Sequence, residues 1–90
     1  MSKPFILLGD STDHGGAVLE GSPYSDIEGK PIARVGDKVS CPIPGHGVTV
    51  IATGDATCLI DGKPVARHGD KTACGATLIA SQTLVVDKVG

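Results

Sequence analysis

Short runs of β-branched and aliphatic residues alternate with turn residues along the whole chain. The runs TVIAT (49–53), TLIAS (77–81) and TLVVD (83–87) have the residue types and lengths of β-strands. EGK (28–30), DGK (61–63) and the Gly-Asp pairs have the residue types of turns, and DGK predicts a hairpin turn between the strands CLI and PVA. With 13 Gly, 6 Pro and no long apolar pattern of helical period, the sequence predicts an all-β fold in which helix is at most a minor element.

One segment of the chain is repeated. Residues 27–41 and 60–74 are identical at ten of fifteen positions, at an offset of 33. A third, partial copy at 8–14 aligns its Gly-Asp with the other two, so Gly-Asp, three residues and then His or Cys occurs three times. We therefore expect a single domain, 1–90, of short strands and turns with pseudo-threefold symmetry, in which equivalent positions converge near the axis.

Composition limits how such a domain is stabilised and what it binds. A chain of 90 residues whose only aromatic residues are Phe5 and Tyr24 has a thin core, so we expect a disulfide, a metal or a partner surface to support it. Eight basic and ten acidic residues are interspersed, which indicates no nucleic-acid groove. No run approaches the ~20 apolar residues of a membrane span, and the run FILL is too short for a secretory leader, so we expect synthesis in the cytoplasm and no stable membrane insertion.

The cysteine and histidine residues favour a metal site. Three cysteines are an odd number for a disulfide framework, and a cytoplasmic origin also argues against disulfides, although one disulfide with a spare thiol is an alternative. A closed tetrahedral site needs four ligands, and the repeat-equivalent positions supply three: His14, the Cys41/His46 region and Cys74. His68 supplies a fourth, at a position where the other two copies have an aliphatic residue. The favoured set is His14, His46, His68 and Cys74, with Cys41 as the alternative second ligand.

The other repeated residues have structural interpretations. We expect each Asp after Gly to bond nearby backbone N–H groups, Cys58 to be a small buried hydrophobic residue, and the glycine after each ligand position to allow close backbone approach. We expect Arg34 and Arg67, with two nearby lysines, to form a solvated or partner-facing rim. The residues in these groups are Asp10, Asp37 and Asp70; Gly15, Gly47 and Gly75; and Lys30 and Lys63.

The chain contains two similar tetrapeptides, PIAR (31–34) and PVAR (64–67). Each is followed by one residue and then Gly-Asp, and this motif is specific to one protein family. The chain resembles the PAAR-repeat family over nearly its whole length, although the second motif position departs conservatively from Ala. The resemblance implies a small conical β-structure with zinc, one ion per chain, near its vertex. The three His and one Cys that the family uses as zinc ligands would fall on His14, His46, His68 and Cys74.

The same resemblance implies a mechanical role and no enzymatic activity. The chain would cap the trimeric VgrG-type spike of a type VI secretion system, one cap per trimer, and sharpen it for membrane puncture. Effector proteins are expected as further partners, and no toxin domain is expected in the chain itself. The protein would be made in the cytoplasm, loaded on the apparatus and delivered outside the cell or into a target cell. The alternatives are a free metal-binding adaptor module and, less favoured, a small zinc hydrolase.

Overall fold

Short antiparallel strand pairs build the fold. The computed structural model describes residues 3–42 and 47–81, so the strand predicted at 83–87 lies outside it. Within those ranges no helix is long and apolar enough to span a membrane. The strands are β1 Ser11–Thr12, β2 Asp26–Ile27, β3 Lys30–Pro31, β4 Lys38–Cys41, β5 Gly47–Val50, β6 Asp55–Ile60, β7 Lys63–Val65 and β8 Leu78–Ile79. They pair as β1–β8, β2–β3, β4–β5 and β6–β7, which confirms the all-β prediction.

The hairpin predicted at DGK is confirmed. Strands β6 and β7 pair in register from Ile60 and Lys63, so the connection is the two-residue turn Asp61-Gly62. Both turn residues have positive φ, 55° and 79°. That conformation matches the twist of the flanking strands, and Asp and Gly adopt it most readily. The equivalent turn, residues 28 and 29, joins β2 to β3 with φ of 52° and 84°.

A closed ring of backbone hydrogen bonds defines the threefold axis. Ile6 N–H donates to the Ala66 carbonyl at 2.9 Å, Ala66 N–H donates to Ala33 at 3.0 Å, and Ala33 N–H donates back to Ile6 at 2.8 Å. A second cycle runs in the opposite sense: Leu8 N–H donates to Pro31, Val35 N–H donates to Pro64, and His68 N–H donates to Pro4. Each pair of units is therefore joined by hydrogen bonds in both directions, which confirms the pseudo-threefold arrangement.

The Gly-Asp turns are built alike in the three units. In each, an Asp carboxylate accepts a hydrogen bond from the backbone N–H three residues earlier, at 2.8–2.9 Å, as the sequence predicted. The preceding glycines have φ of 90°, 94° and 94°, a conformation that L side chains rarely adopt. The recurring Gly-Asp pair is therefore a local structural device. The residues are Asp10, Asp37 and Asp70, after Gly9, Gly36 and Gly69.

The core is a stack of symmetry-equivalent side chains. The layer at the axis consists of three fully buried side chains, those of Ile6, Ala33 and Ala66. One large and two small side chains fill a layer in which three large ones would collide. Val18, Ile51 and Leu78 form a further equivalent set in the same cluster, beside Val39. A second cluster contains Leu7, Ile32 and Val65, with Phe5, Ile27, Cys58 and Ile60 packed partly buried against it.

The arginines correct one expectation from the sequence. Arg34 and Arg67 are buried rather than part of a solvated rim, because each is enclosed by acidic partners. Arg34 pairs with Asp37 at 2.9 Å and Asp61 at 2.8 Å, and the hydrogen bonds that it donates to Asp37 are the main cause of its raised pKa. Arg67 is the corresponding residue of the third unit. It bonds Asp55 at 2.9 Å, donates to the Lys3 carbonyl at 2.8 Å and lies 4.6 Å from the centre of the Phe5 ring.

Candidate metal centre

The three Gly-Asp units each end in a metal-ligating side chain, and the fold brings those side chains together. His14, Cys41 and Cys74 each lie four residues after the turn Asp of their unit. Their ligand atoms all fall within 4.8 Å of one another, with Cys41 buried and the other two half-buried. Because equivalent positions converge near a threefold axis, the repeat itself produces this cluster.

Local turns fix the backbone that carries the first and third of these residues. The Thr12 hydroxyl accepts hydrogen bonds from His14 N–H at 3.2 Å and Gly16 N–H at 3.0 Å. In the third unit the Thr72 hydroxyl accepts one from Ala76 N–H at 3.1 Å. A β-carbon on Gly16 would lie 1.9 Å from the Ser40 carbonyl oxygen, so only glycine fits against the neighbouring unit.

The glycines that follow the ligand positions are needed for their conformation. Gly15, Gly47 and Gly75 have φ of 83°, 60° and 92°. Among the residues that the structure describes, a β-carbon there would meet no atom closer than 3.6 Å, so the expectation of close backbone approach was wrong for them. The turn needs a residue in the left-handed backbone conformation, which glycine adopts without steric cost.

The two sulfur atoms are in contact but not bonded. Cys41 Sγ and Cys74 Sγ lie 3.4 Å apart, whereas a disulfide bond measures about 2.05 Å. The Thr72 hydroxyl lies 3.2 Å from Cys74 Sγ and can stabilise a thiolate there by donating a hydrogen bond to it. Cys58 packs against the second apolar cluster, as expected of a small hydrophobic residue, but it is half-buried and not fully buried as the sequence predicted.

The imidazole has an unused ring nitrogen. His14 Nδ1 is buried and has no hydrogen-bond partner among the described residues. Leaving a buried polar atom unsatisfied costs about 1–3 kcal/mol, which a bound cation would remove. Its Nε2 lies 3.9 Å from the Asp13 carboxylate, whose pKa is lowered chiefly by a hydrogen bond from Thr77 N–H at 2.8 Å. That carboxylate thus stays charged beside the ring.

This donor set fits a soft or borderline divalent metal. Two cysteine sulfurs and an imidazole nitrogen are ligands typical of structural zinc, and a metal bound to His14 Nδ1 would satisfy the nitrogen that lacks a partner among the described residues. Three described donors leave room for one more ligand in a tetrahedral site.

The described cluster overlaps only partly with the favoured ligand set. His14 and Cys74 belong to it, and the second position is occupied by Cys41, the alternative ligand. His46 lies outside the described residues, so its role stays a prediction. His68 is exposed and is not part of the cluster; its Nδ1 accepts a hydrogen bond from Ala80 N–H at 3.0 Å. Strict alignment of the three Gly-Asp units was the signal in the sequence that pointed to Cys41.

Comparison with known proteins agrees with the geometry. The sequence profile of a family described as PAAR motif matches residues 8–80, which contain the three Gly-Asp units and the whole described cluster. No curated protein matches the chain.

Proposed function

Because the chain belongs to the PAAR-motif family, we propose that it is the non-enzymatic tip of a type VI secretion spike, seated on a trimeric VgrG-type protein. The observation that carries the proposal is the closed hydrogen-bond ring through Ile6, Ala33 and Ala66. It arranges one chain as three equivalent units around an axis. Such a body can present similar surfaces to all three subunits of a trimer, which an ordinary monomer cannot.

We place the spike contact on the hairpins β2–β3 and β6–β7. The second apolar cluster reaches these hairpins through its partly buried members Ile27, Cys58 and Ile60. Next to them Leu59 exposes 58% of its surface. Apolar groups of this kind at the end of a small β-structure suit a partner surface better than water. A cap seated here would also cover strand ends of the trimer.

A structural metal completes the proposal. We propose zinc, held by His14, Cys41 and Cys74, with His46 as the fourth ligand. His46 directly precedes Gly47, which pairs with Cys41 across β4 and β5. The metal would join the ends of the three units. Structural zinc contributes on the order of 10 kcal/mol to the folding of small domains.

The ligand proposal is tested by zinc content. We expect one zinc per chain, and His14→Ala, Cys41→Ser and His46→Ala should each lower zinc retention on dialysis against a chelator. His68→Ala is the matched comparison for His46→Ala: unchanged retention in His68→Ala supports His46, and loss of zinc in His68→Ala but not in His46→Ala would make His68 the fourth ligand. A protein that folds equally well without any metal would refute the structural role.

The spike contact is tested with a pair of equally exposed residues. Leu59 and Val48 are each 58% exposed, but Leu59 lies on the proposed contact and Val48 lies on β5, paired with Ser40 of β4. We expect Leu59→Asp to weaken binding to the trimeric spike roughly tenfold or more, since it places a charge in an apolar contact. Val48→Asp should bind normally. The complex should contain one cap per trimer; three caps per trimer, or weakening by Val48→Asp alone, would contradict the proposed geometry.

Loading and delivery follow from the same role. We propose that the cap joins the spike in the cytoplasm and leaves the cell with it, with effector proteins as additional cargo. The measurement is detection of the cap outside cells that carry an active secretion system, compared with cells whose system is inactive. Equal amounts outside both would argue for the alternative, a free metal-binding adaptor.

A further inference from the structure

The cluster contains a pair of thiols where the family resemblance implies a single cysteine. Cys41 closes β4 in the second unit, and Cys74 lies at the equivalent place in the third. Their sulfurs are 3.4 Å apart. The spacing would have to shorten by only about 1.4 Å to reach the length of a disulfide bond. Two cysteines from different units at this distance are close enough for an oxidant to join them in a disulfide bond.

We propose that Cys41 and Cys74 are a redox-modification site: in the metal-free protein, a thiol oxidant converts them into an intramolecular disulfide. With glutathione disulfide as oxidant, the Cys74 thiolate attacks one glutathione sulfur, forms a mixed disulfide and releases one glutathione. The Cys41 thiolate then attacks the Cys74 sulfur and displaces the second glutathione. The two protein thiols are oxidised, glutathione disulfide is reduced to two glutathiones, and these take up the two protons.

Exposure assigns the order of the two attacks. Cys74 is half-buried and Cys41 is buried, so the oxidant reaches Cys74 first and Cys41 resolves the mixed disulfide. The Thr72 hydroxyl at 3.2 Å from Cys74 Sγ supports the attacking thiolate by hydrogen bonding. The product would link the second and third units at the position where a metal would link them. The second and third units can therefore be cross-linked in two alternative ways at this site: by a metal under reducing conditions and by a disulfide under oxidising conditions.

The third cysteine, Cys58, allows a disulfide formed in the folded protein to be distinguished from one formed in the unfolded chain. Along the chain Cys58 is 17 residues from Cys41 and 16 from Cys74, whereas Cys41 and Cys74 are 33 apart. In an unfolded chain, closure probability falls with about the 3/2 power of loop length, so the Cys41–Cys74 pair would form in only about one molecule in seven. In the folded chain Cys58 packs in the second apolar cluster, and the pairing should reverse in favour of Cys41–Cys74.

The experiment is oxidation of the full chain after metal removal. The chelated protein is treated with glutathione disulfide in native buffer and, in parallel, in denaturant; the disulfides are then mapped by peptide mass spectrometry. We expect free thiols to fall from three to one, with Cys41–Cys74 as the dominant pair in native buffer only. Cys58→Ser should leave this product unchanged, and Cys74→Ser should abolish it. Dominant pairing with Cys58, the denatured distribution in native buffer, or only glutathione adducts would overturn the proposal.

The result can be separated from the proposed zinc site. Zinc-loaded protein should oxidise at least tenfold more slowly, because metal-bound thiolates are withheld from the oxidant. If zinc gives no protection but the Cys41–Cys74 disulfide still forms, the redox site stands and the metal placement fails. If zinc binds to these thiols but they pair with Cys58 after its removal, the metal placement stands and the redox site fails.

Discussion

The threefold architecture can be tested by moving the one large side chain at the axis from its own unit to the equivalent position of another unit. The axial layer contains Ile6, Ala33 and Ala66, which are fully buried and linked by the closed hydrogen-bond ring. In Ile6→Ala the layer loses its only large side chain. In Ala66→Ile the layer has two. The double variant restores one isoleucine and two alanines, but in a different unit.

The expected free energies of unfolding follow from burial and packing. Ile6→Ala removes about three buried carbon atoms at about 0.8 kcal/mol each, and the remaining cavity raises the loss to about 3–4 kcal/mol. Ala66→Ile overfills the layer and costs about 1–3 kcal/mol. Independent effects would sum to about 4–7 kcal/mol, a large part of the ~5–13 kcal/mol total stability expected for a domain of this size. Because the double variant conserves volume, we expect it to lose less than about 1.5 kcal/mol.

The assay is urea unfolding of zinc-saturated protein, followed by far-ultraviolet circular dichroism. Fluorescence is unsuitable, since the chain has no Trp and Tyr24 is 84% exposed. The denaturant slope should stay constant across the four proteins, so that midpoints report stability. Leu19→Ala, at a half-exposed position, should cost under about 1 kcal/mol and serves as the control. Additive losses in the double variant would refute the equivalence of Ile6 and Ala66 at the axis.

Three further predictions concern the ion pairs and the glycine contact. Arg67→Ala should lower the free energy of unfolding by about 2–3 kcal/mol, measured by urea unfolding, because it removes the cationic partner of Asp55 and a donor to the Lys3 carbonyl; exposed Lys63→Ala should have an effect below about 0.5 kcal/mol. Hydrogen bonds from Thr57, and then Arg67, lower the pKa of Asp55 below its usual 3.8, so the stability it contributes is present above pH 3.8 and is lost as the pH falls through the lowered pKa. A pH series of thermal melts should show a shallower acid loss in Asp55→Asn, and an identical slope would contradict this assignment. Gly16→Ala should fail to reach native stability, since its β-carbon would overlap the Ser40 carbonyl; a neutral result would mean that the two units sit farther apart.

Much of the fold was predictable because the repeat encodes it locally. The Asp61-Gly62 turn and the backbone bonds of Asp10, Asp37 and Asp70 involve residues close in sequence, and their conformations follow from residue type. The pseudo-threefold arrangement was predictable because three similar units in one short chain must pack against one another. The convergence of His14 and Cys74 followed from the same equivalence.

The burial of Arg34 and Arg67 was not predictable from local pattern. Arg67 meets Asp55 across twelve residues and Lys3 across sixty-four, and Arg34 meets Asp61 across twenty-seven. Only the paired hairpins show that these acidic groups enclose the guanidinium groups. The same applies to Gly16, whose requirement comes from a carbonyl group of another unit.

The sequence by itself determined the strand and turn pattern, the threefold repeat and the types of ligand available, because each depends on short-range chemistry or on internal likeness. The tertiary structure decided which of those ligands meet. It placed Cys41 beside Cys74 and His14 and left His68 exposed and bonded to Ala80. The physical reason is that symmetry-related positions meet. Cys41 holds the same position in its unit as His14 and Cys74 hold in theirs, whereas His68 holds a different position, shared with Leu8 and Val35.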